Sequence, residues 1–361
     1  MDIAYTHGKS GAEKSDIFEN EFVTAPVASR KSLKKNLWRL VHQHPSPMLI
    51  FDNHTKSSFR SLTHTNDYDF ILFRYLNSTQ LAFSLPEKYR MKTIIDIDDI
   101  PSSNIYEMQF GEFYGIKRFF AWLNHIILKR YENKCMSLGA TLFCSGTDLA
   151  TMKNKRDEKN LFVVPNIYNN PTFETCDFGD GYQMGHVLLF VGALSYRPNI
   201  EGLEWFIATI FPAFITQFPN AKLMVVGRDP DIKVRQLCNK QFGVELHTNV
   251  PDIRPFYQKA RAVVVPLLAG GGTRIKILEA ALSNRPVLST PIGASGLAFE
   301  HNTDILLFQT PKELLEGYKK LESHESYTRI VEKARSVVLN KYSSNSFRKG
   351  MEAVLQHIDG N

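Results

Sequence analysis

The sequence predicts an α/β chain made of two doubly wound parallel domains in tandem, and three observations carry that expectation. Short continuous apolar runs recur, closed by polar or glycine-containing turns and separated by segments of helical spacing, the pattern of a parallel sheet covered on both faces. The runs fall into two series. The first is MLIF (48–51), DFILF (69–73), TIID (93–96), TLFCS (141–145) and LFVVP (161–165). The second is HVLLFVG (186–192), KLMVVG (222–227), RAVVVP (261–266), RPVLST (285–290) and DILLF (304–308). Between them lies NIYNNPTFETCDFGDGYQ (166–183), which holds turn residues and no helical period.

With 361 residues, 43% of them hydrophobic, the chain has apolar material for two domains that each bury a core. The expected division is a first domain over 1–168, a linker over 169–185 and a second domain over 186–340. The end, KYSSNSFRKGMEAVLQHI, reads as a helix after a serine-rich turn, and 341–361 is expected to cross back to the first domain. The first forty residues hold no buried-strand run, and Gly8 and Gly11 stand isolated. A first domain short of a strand would expose a sheet edge.

The formal net charge is +6, of which residues 1–180 contribute 22 − 21 = +1 and residues 181–361 contribute 21 − 16 = +5. That excess is too mild for a nucleic-acid partner and suits a phosphorylated small molecule or an anionic membrane surface. Cys135, Cys144, Cys176 and Cys238 form no C-x-x-C pair and have no histidine at zinc-finger spacing, so neither a metal nor a disulfide framework is expected. The start, MDIAYTHGKSGAEKSD, lacks the order of a signal peptide, and the run Phe119 to Leu128 is too short to span a bilayer. The expected location is the cytoplasm.

The segment RAVVVPLLAGGGTRIKILEAALSNRPVLST (261–290) carries the chemistry. A buried strand leads into Gly270, Gly271 and Gly272, which allow close backbone approach, and Thr273 is placed to cap the following helix. The helix's first N–H groups and dipole would then face an anion. Arg274 and Lys276 put two cations in the first turn, where the dipole disfavours them unless an anion is bound. Glu279 shares a helix face with Lys276 and can accept sugar hydroxyls. A tight strand-to-helix turn is the plainer reading of the glycines; the Thr, Arg, Lys and Glu beside them favour a ligand site.

This segment resembles the signature of glycosyltransferase family 4, of the GT-B fold with two facing Rossmann-like domains, in the branch with a GGGTR-x-K-x-x-EA run. VGALSYRPNIEGLEWF (191–206), VVGRDP (225–230) and HTNVPDIRPFYQKARAVVVP (247–266) resemble it in order and spacing, and the likeness covers about residues 66–345. The resemblance implies a retaining transferase needing no metal or other cofactor. It would move a sugar, of hexosyl type, from a nucleoside-diphosphate sugar to a hydroxyl of a glycan or lipid-linked acceptor in surface polysaccharide synthesis. The second domain would grip the donor and the first would present the acceptor. Glu279 would be the second glutamate of the family's E-x7-E pattern, at the ribose, whereas the first falls on Gly271. The family's Arg and Lys after the first strand fall on Ala193 and Glu201. Arg274 and Lys276 would assume that charge at the diphosphate, with Gly192, Gly271, Gly272 and Thr273 in the donor loop. Val250 and Asp252 would flank the base, an ordinary turn with Asp252 starting a helix being the other reading. Asn166 belongs to the linker motif and reads as a turn residue. Related enzymes also open with a strand and a Gly-Gly loop that this chain lacks. A shortened frame, a partner that completes the sheet and a non-catalytic sugar-nucleotide or glycan-binding subunit all remain open.

In the first domain IDIDDIPSS (95–103) clusters Asp96, Asp98 and Asp99 without a His or Glu partner at helical spacing, so capping outweighs metal binding. The resemblance places Asp98 or Asp99 beside the transferred sugar. Arg74 and Ser145, at strand ends, either face the acceptor or are solvated. KRFFAWLNHIILKRYENK (117–134) reads either as a core helix with charged ends or as a peripheral anchor on the inner face of the plasma membrane. RKSLKKNLWRL (30–40) has the same two readings.

Overall fold

The computed structural model describes residues 2–5, 20–23, 53–65, 67–76, 78–98, 100–102, 115–152, 158–168, 171–270 and 273–360. The strand expected over 48–51, the basic segment 30–40, Asp99, Gly271 and Gly272 lie outside the described residues. The chain divides into two compact units, Met1–Val164 with Gly350–Asn361, and Pro165–Lys349.

In the first unit β1 (Asp2–Tyr5) and β2 (Asn20–Val23) pair in parallel as a sheet of two. The first forty residues thus hold two strands although they hold no apolar run: DIAY and NEFV mix polar and apolar residues. After helix α1 (Asn53–Thr65), β3 (Ile71–Arg74), β4 (Thr93–Ile97), β5 (Ala140–Phe143) and β6 (Leu161–Val163) form a parallel sheet in that order. Helix α2 (Ile116–Cys135) and helix α3 (Gly146–Met152) flank β5 in the chain. Phe73, Ile95, Ile97 and Phe143 of alternate strand positions share a core with Phe59 of α1 and Leu128 and Cys135 of α2.

The second unit holds β7 (Val187–Val191), β8 (Lys222–Gly227), β9 (Val244–Thr248), β10 (Ala262–Val265), β11 (Val287–Ser289) and β12 (Leu306–Leu307), all parallel. Their order is β12-β11-β10-β7-β8-β9, the doubly wound arrangement in which the order of strand addition reverses between β7 and β10. Strand alternation divides the core. Leu188, Phe190, Leu223, Val225 and Val264 face one layer, whereas Leu189, Val191, Met224, Val226, Val263 and Val265 face the other. Helix α4 (Arg197–Trp205) sends Leu203 into the first layer, and helix α5 (Ile275–Leu282) sends Ile277, Leu278, Ala280 and Ala281 into the second.

The stretch expected as a linker, 169–185, is instead part of the second unit. Phe173 and Phe178 are buried and pack on each other and on Tyr257, with ring centroids 5.4 to 6.3 Å apart. The fully buried Arg285 donates to the carbonyls of Phe178, Gly179, Tyr257, Gln258, Ser283 and Asn284. Arg261 likewise binds the carbonyls of Tyr182, Met184 and Leu321. Turn composition conceals this role because the partners lie far along the chain. The last helix, α6 (Ser344–Asp359), passes from the second unit into the first at Gly350.

Candidate functional site

The site of the second unit lies at the carboxyl ends of β7 and β10. Because α4 and α5 leave those strands toward opposite layers, the space between their first turns is the switch-point crevice at which doubly wound sheets generally receive ligands. Lys276, in the first turn of α5, reaches across it: Nζ donates to Asn199 Oδ1 at 2.8 Å and stands 4.6 Å from the centroid of the Phe190 ring. Asn199 Nδ2 in turn donates to the Ala193 carbonyl at 2.9 Å. Gly192 makes this possible, since a Cβ there would lie 2.8 Å from Asn199 Nδ2 and 3.0 Å from Lys276 Nζ. Gly227 is also obligatory, its Cβ falling 1.8 Å from the Gly192 carbonyl oxygen. Burial lowers the Lys276 amine from the usual lysine range to about 7; Glu279 opposes that shift and Arg274 adds to it.

The glycine-rich turn differs from the expectation in two ways. Thr273 is not the cap: Arg274 occupies that position without a side-chain capping bond, and Thr273 Oγ1 accepts from Asn166 Nδ2 at 2.9 Å. The asparagine amide has claimed the hydroxyl, so Asn166 clamps the turn. Arg274 is buried, and its guanidinium donates back to the carbonyls of Gly270 and Ile292. It thereby fixes the backbone at Gly270, whose φ is +116°. Of the two expected cations, Lys276 is the one whose amine meets α4, and no acidic side chain stands in the first turn of α5.

Glu279 is held from both sides. Tyr168 donates its hydroxyl to Oε1 at 3.1 Å and Tyr257 donates to Oε2 at 3.0 Å. Burial raises its carboxyl above the ordinary range, against those two hydrogen bonds and the pull of Lys276. Neither tyrosine carries a local sequence signal for this role. In the loop after β9, Asn249 adopts φ 53°, and Val250 packs on the second-layer core. Asp252 accepts from the Arg254 backbone N–H and pairs with its guanidinium at 2.9 Å. Those bonds match the turn reading of Asp252.

In the first unit the described candidate residues are engaged by their own neighbours. Ser145 is buried and not solvated: its Oγ accepts from the Asp148 N–H at 3.1 Å and donates to Asp148 Oδ2 at 2.6 Å, capping α3. Arg74 lies over the Tyr75 ring, with Nε 3.7 Å from Asp96 Oδ2 on the register-paired strand. Asp98 accepts from the Cys144 thiol at 3.1 Å, and burial raises both that thiol and the Asp96 carboxyl. Among the described residues no group of three or more His, Cys, Asp or Glu side chains is placed to hold a metal ion. Helix α2 buries Ala121, Ile127, Leu128, Glu132 and Cys135, yet leaves Phe119, Phe120 and Trp122 exposed, Phe119 touching the other two rings, with Lys129 and Arg130 also exposed. Among the described residues no helix is long and apolar enough to cross a membrane.

Residues 185–324 match the family model described as Glycosyl transferases group 1. An uncharacterized 44.6 kDa protein in the cps region of Klebsiella pneumoniae is 27% identical over 127 residues, 33% of this chain and 33% of that protein. The chain thus aligns with a third of that relative's length. Glycosyltransferase 1 domain-containing protein 1 of Xenopus tropicalis is 27% identical over 253 residues, 64% of this chain and 72% of that protein. Among solved structures, sucrose-phosphate synthase from Thermosynechococcus elongatus has a TM-score of 0.66 at 14% identity, over 99% of this chain and 89% of its own. HepE of Anabaena in complex with UDP and glucose has a TM-score of 0.63 at 14% identity, over 93% and 86%. The parallel α/β architecture is therefore the GT-B fold of those glycosyltransferase structures, and residues 185–324 of the second unit are similar to the glycosyl transferases group 1 domain.

Proposed function

We propose that the chain is a retaining glycosyltransferase that moves a hexose-type sugar from a nucleoside diphosphate to a hydroxyl of a glycan or lipid-linked acceptor in surface polysaccharide synthesis. The observation that carries the reading is the Lys276 amine, held on a neutral amide in the crevice between β7 and β10 with no carboxylate in its turn. A cation so placed answers the charge that develops on a departing diphosphate. Glu279, Gly192 and the turn held by Arg274 and Thr273 would complete the donor site, with Val250 beside the base. The cps-region relative and the UDP complex of HepE support the substrate classes. Arg74, Asp98 and Ser145 would serve the acceptor side through the strand ends they shape. The protein would work in the cytoplasm, with the exposed face of α2 resting on the inner leaflet, and without a metal.

The test is turnover with a panel of labelled UDP-, GDP- and ADP-sugars, membrane extract as acceptor, with and without EDTA. Transfer that survives chelation and keeps the anomeric configuration is expected. Transfer abolished by EDTA and restored by manganese overturns the metal-free mechanism. Nucleotide binding with no transfer or hydrolysis for any donor makes the chain a binding subunit.

A further inference from the structure

Asn199 sits in the first turn of α4, 77 residues before Lys276, and nothing in the local sequence marks it out. In the structure it is buried at 5% exposure with both ends of its carboxamide engaged, Nδ2 on the Ala193 carbonyl and Oδ1 on Lys276 Nζ. The orientation is forced: turned over, the amide would set N–H donors against the amine and its oxygen against a carbonyl.

We propose that Asn199 is a positioning residue for Lys276, holding the amine at the carboxyl end of β7 by a neutral hydrogen bond so that its charge stays available to a diphosphate. The inference rests on the donor-site reading above. An aspartate here would form an ion pair that competes with the ligand, whereas the amide supplies geometry and no counter-charge. The other neighbours fit the same purpose. Phe190 offers a ring face and Gly192 no side chain. The charged groups that act on the amine are Arg274, bound to carbonyls, and Glu279, bound by the hydroxyls of Tyr168 and Tyr257. On α4, Arg197 and Glu201 pair with each other at 2.6 Å on the exposed side. Burial leaves the amine titrating at about 7, so above that pH an arriving anion draws a proton from solvent onto Nζ.

The full chain is titrated calorimetrically with UDP, GDP and ADP at pH 8, in two buffers of different ionisation heat. At that pH the terminal phosphate, with its pKa of about 6, is already ionised. Wild type is expected to take up close to one proton per nucleotide bound. Lys276→Met is expected to abolish the uptake, and uptake unchanged in that variant overturns the proposal without any change at 199. Asn199→Ala should weaken binding by about tenfold, the scale of one hydrogen bond to a charged group. Asn199→Asp should bind more weakly still and take up no proton, and thermal melts establish that both variants fold. Affinity of Asn199→Ala equal to wild type, or of Asn199→Asp equal to or tighter than Asn199→Ala, overturns the positioning role while the donor reading stands. Failure of wild type to bind any of the three nucleotides overturns the donor reading and this inference with it.

Discussion

Replacing Lys276 by methionine should make the protein more stable and far less active. A lysine ordinarily titrates near 10.5, and burial brings this one to about 7. Between those values the unfolded chain holds a proton that the folded chain lacks, so wild-type stability rises with pH across that window and is lowest below pH 7. At about 1.4 kcal/mol for each tenfold change, the difference corresponds to about 5 kcal/mol at most. Lys276 is partly exposed, and water access reduces the figure to about 2–3 kcal/mol. Methionine fills the same channel over Phe190 without a charge. Melts of wild type and Lys276→Met at pH 6, 7, 8 and 9 should show the variant higher by several degrees at pH 6, with the gap closing as pH rises. Its transfer rate should fall roughly a hundred- to a thousand-fold, the loss expected for one preorganised charge-stabilising group. A variant less stable than wild type, or a gap that ignores pH, would refute the picture of a buried charge kept for its ligand.

Arg285→Ala removes a guanidinium donor from six backbone carbonyls in a fully buried place, and should destabilise the second unit by about 3–5 kcal/mol. A denaturant midpoint within error of wild type would show that water replaces the guanidinium. The exposed Phe119 and Trp122, with Lys129 and Arg130 on the same helix, should bring the protein down with phosphatidylserine vesicles at low salt, at about 1 kcal/mol per basic residue. Phe119→Ser with Trp122→Ser should release it, and a wild type that stays in the supernatant at low salt sinks the idea.

Runs such as HVLLFVG and RAVVVP could be read as central strands because burial on both faces leaves no alternation to confuse them. β9, VELHT, was not legible in that way: it is an edge strand, half-buried along its length, and only its alternation marks it. The glycine-rich turn and Lys276 stand out as candidates because unlike residue types crowd into one first turn. The bonds of Arg274 to the Gly270 and Ile292 carbonyls were not legible, since a guanidinium directed at carbonyls and one directed at a ligand have the same sequence. The contacts of Tyr168, Asn166, Asn199 and Tyr257 could not be found from local pattern, because each acts on a residue 22 to 111 positions away.

The seating of Phe173 and Phe178 has a practical consequence for anyone dissecting the chain. A fragment cut to the matched region, 185–324, would leave behind both phenyl rings, two of the carbonyls that receive Arg285, and Tyr327, Ala334 and Val338 from the other end of the core. Such a piece would bare the ring of Tyr257 and lose Tyr168, one of the two residues whose hydroxyls steady Glu279. It would present as an insoluble or nucleotide-blind fragment for reasons unconnected with the chemistry of the whole. A fragment over 165–349 keeps every one of those contacts.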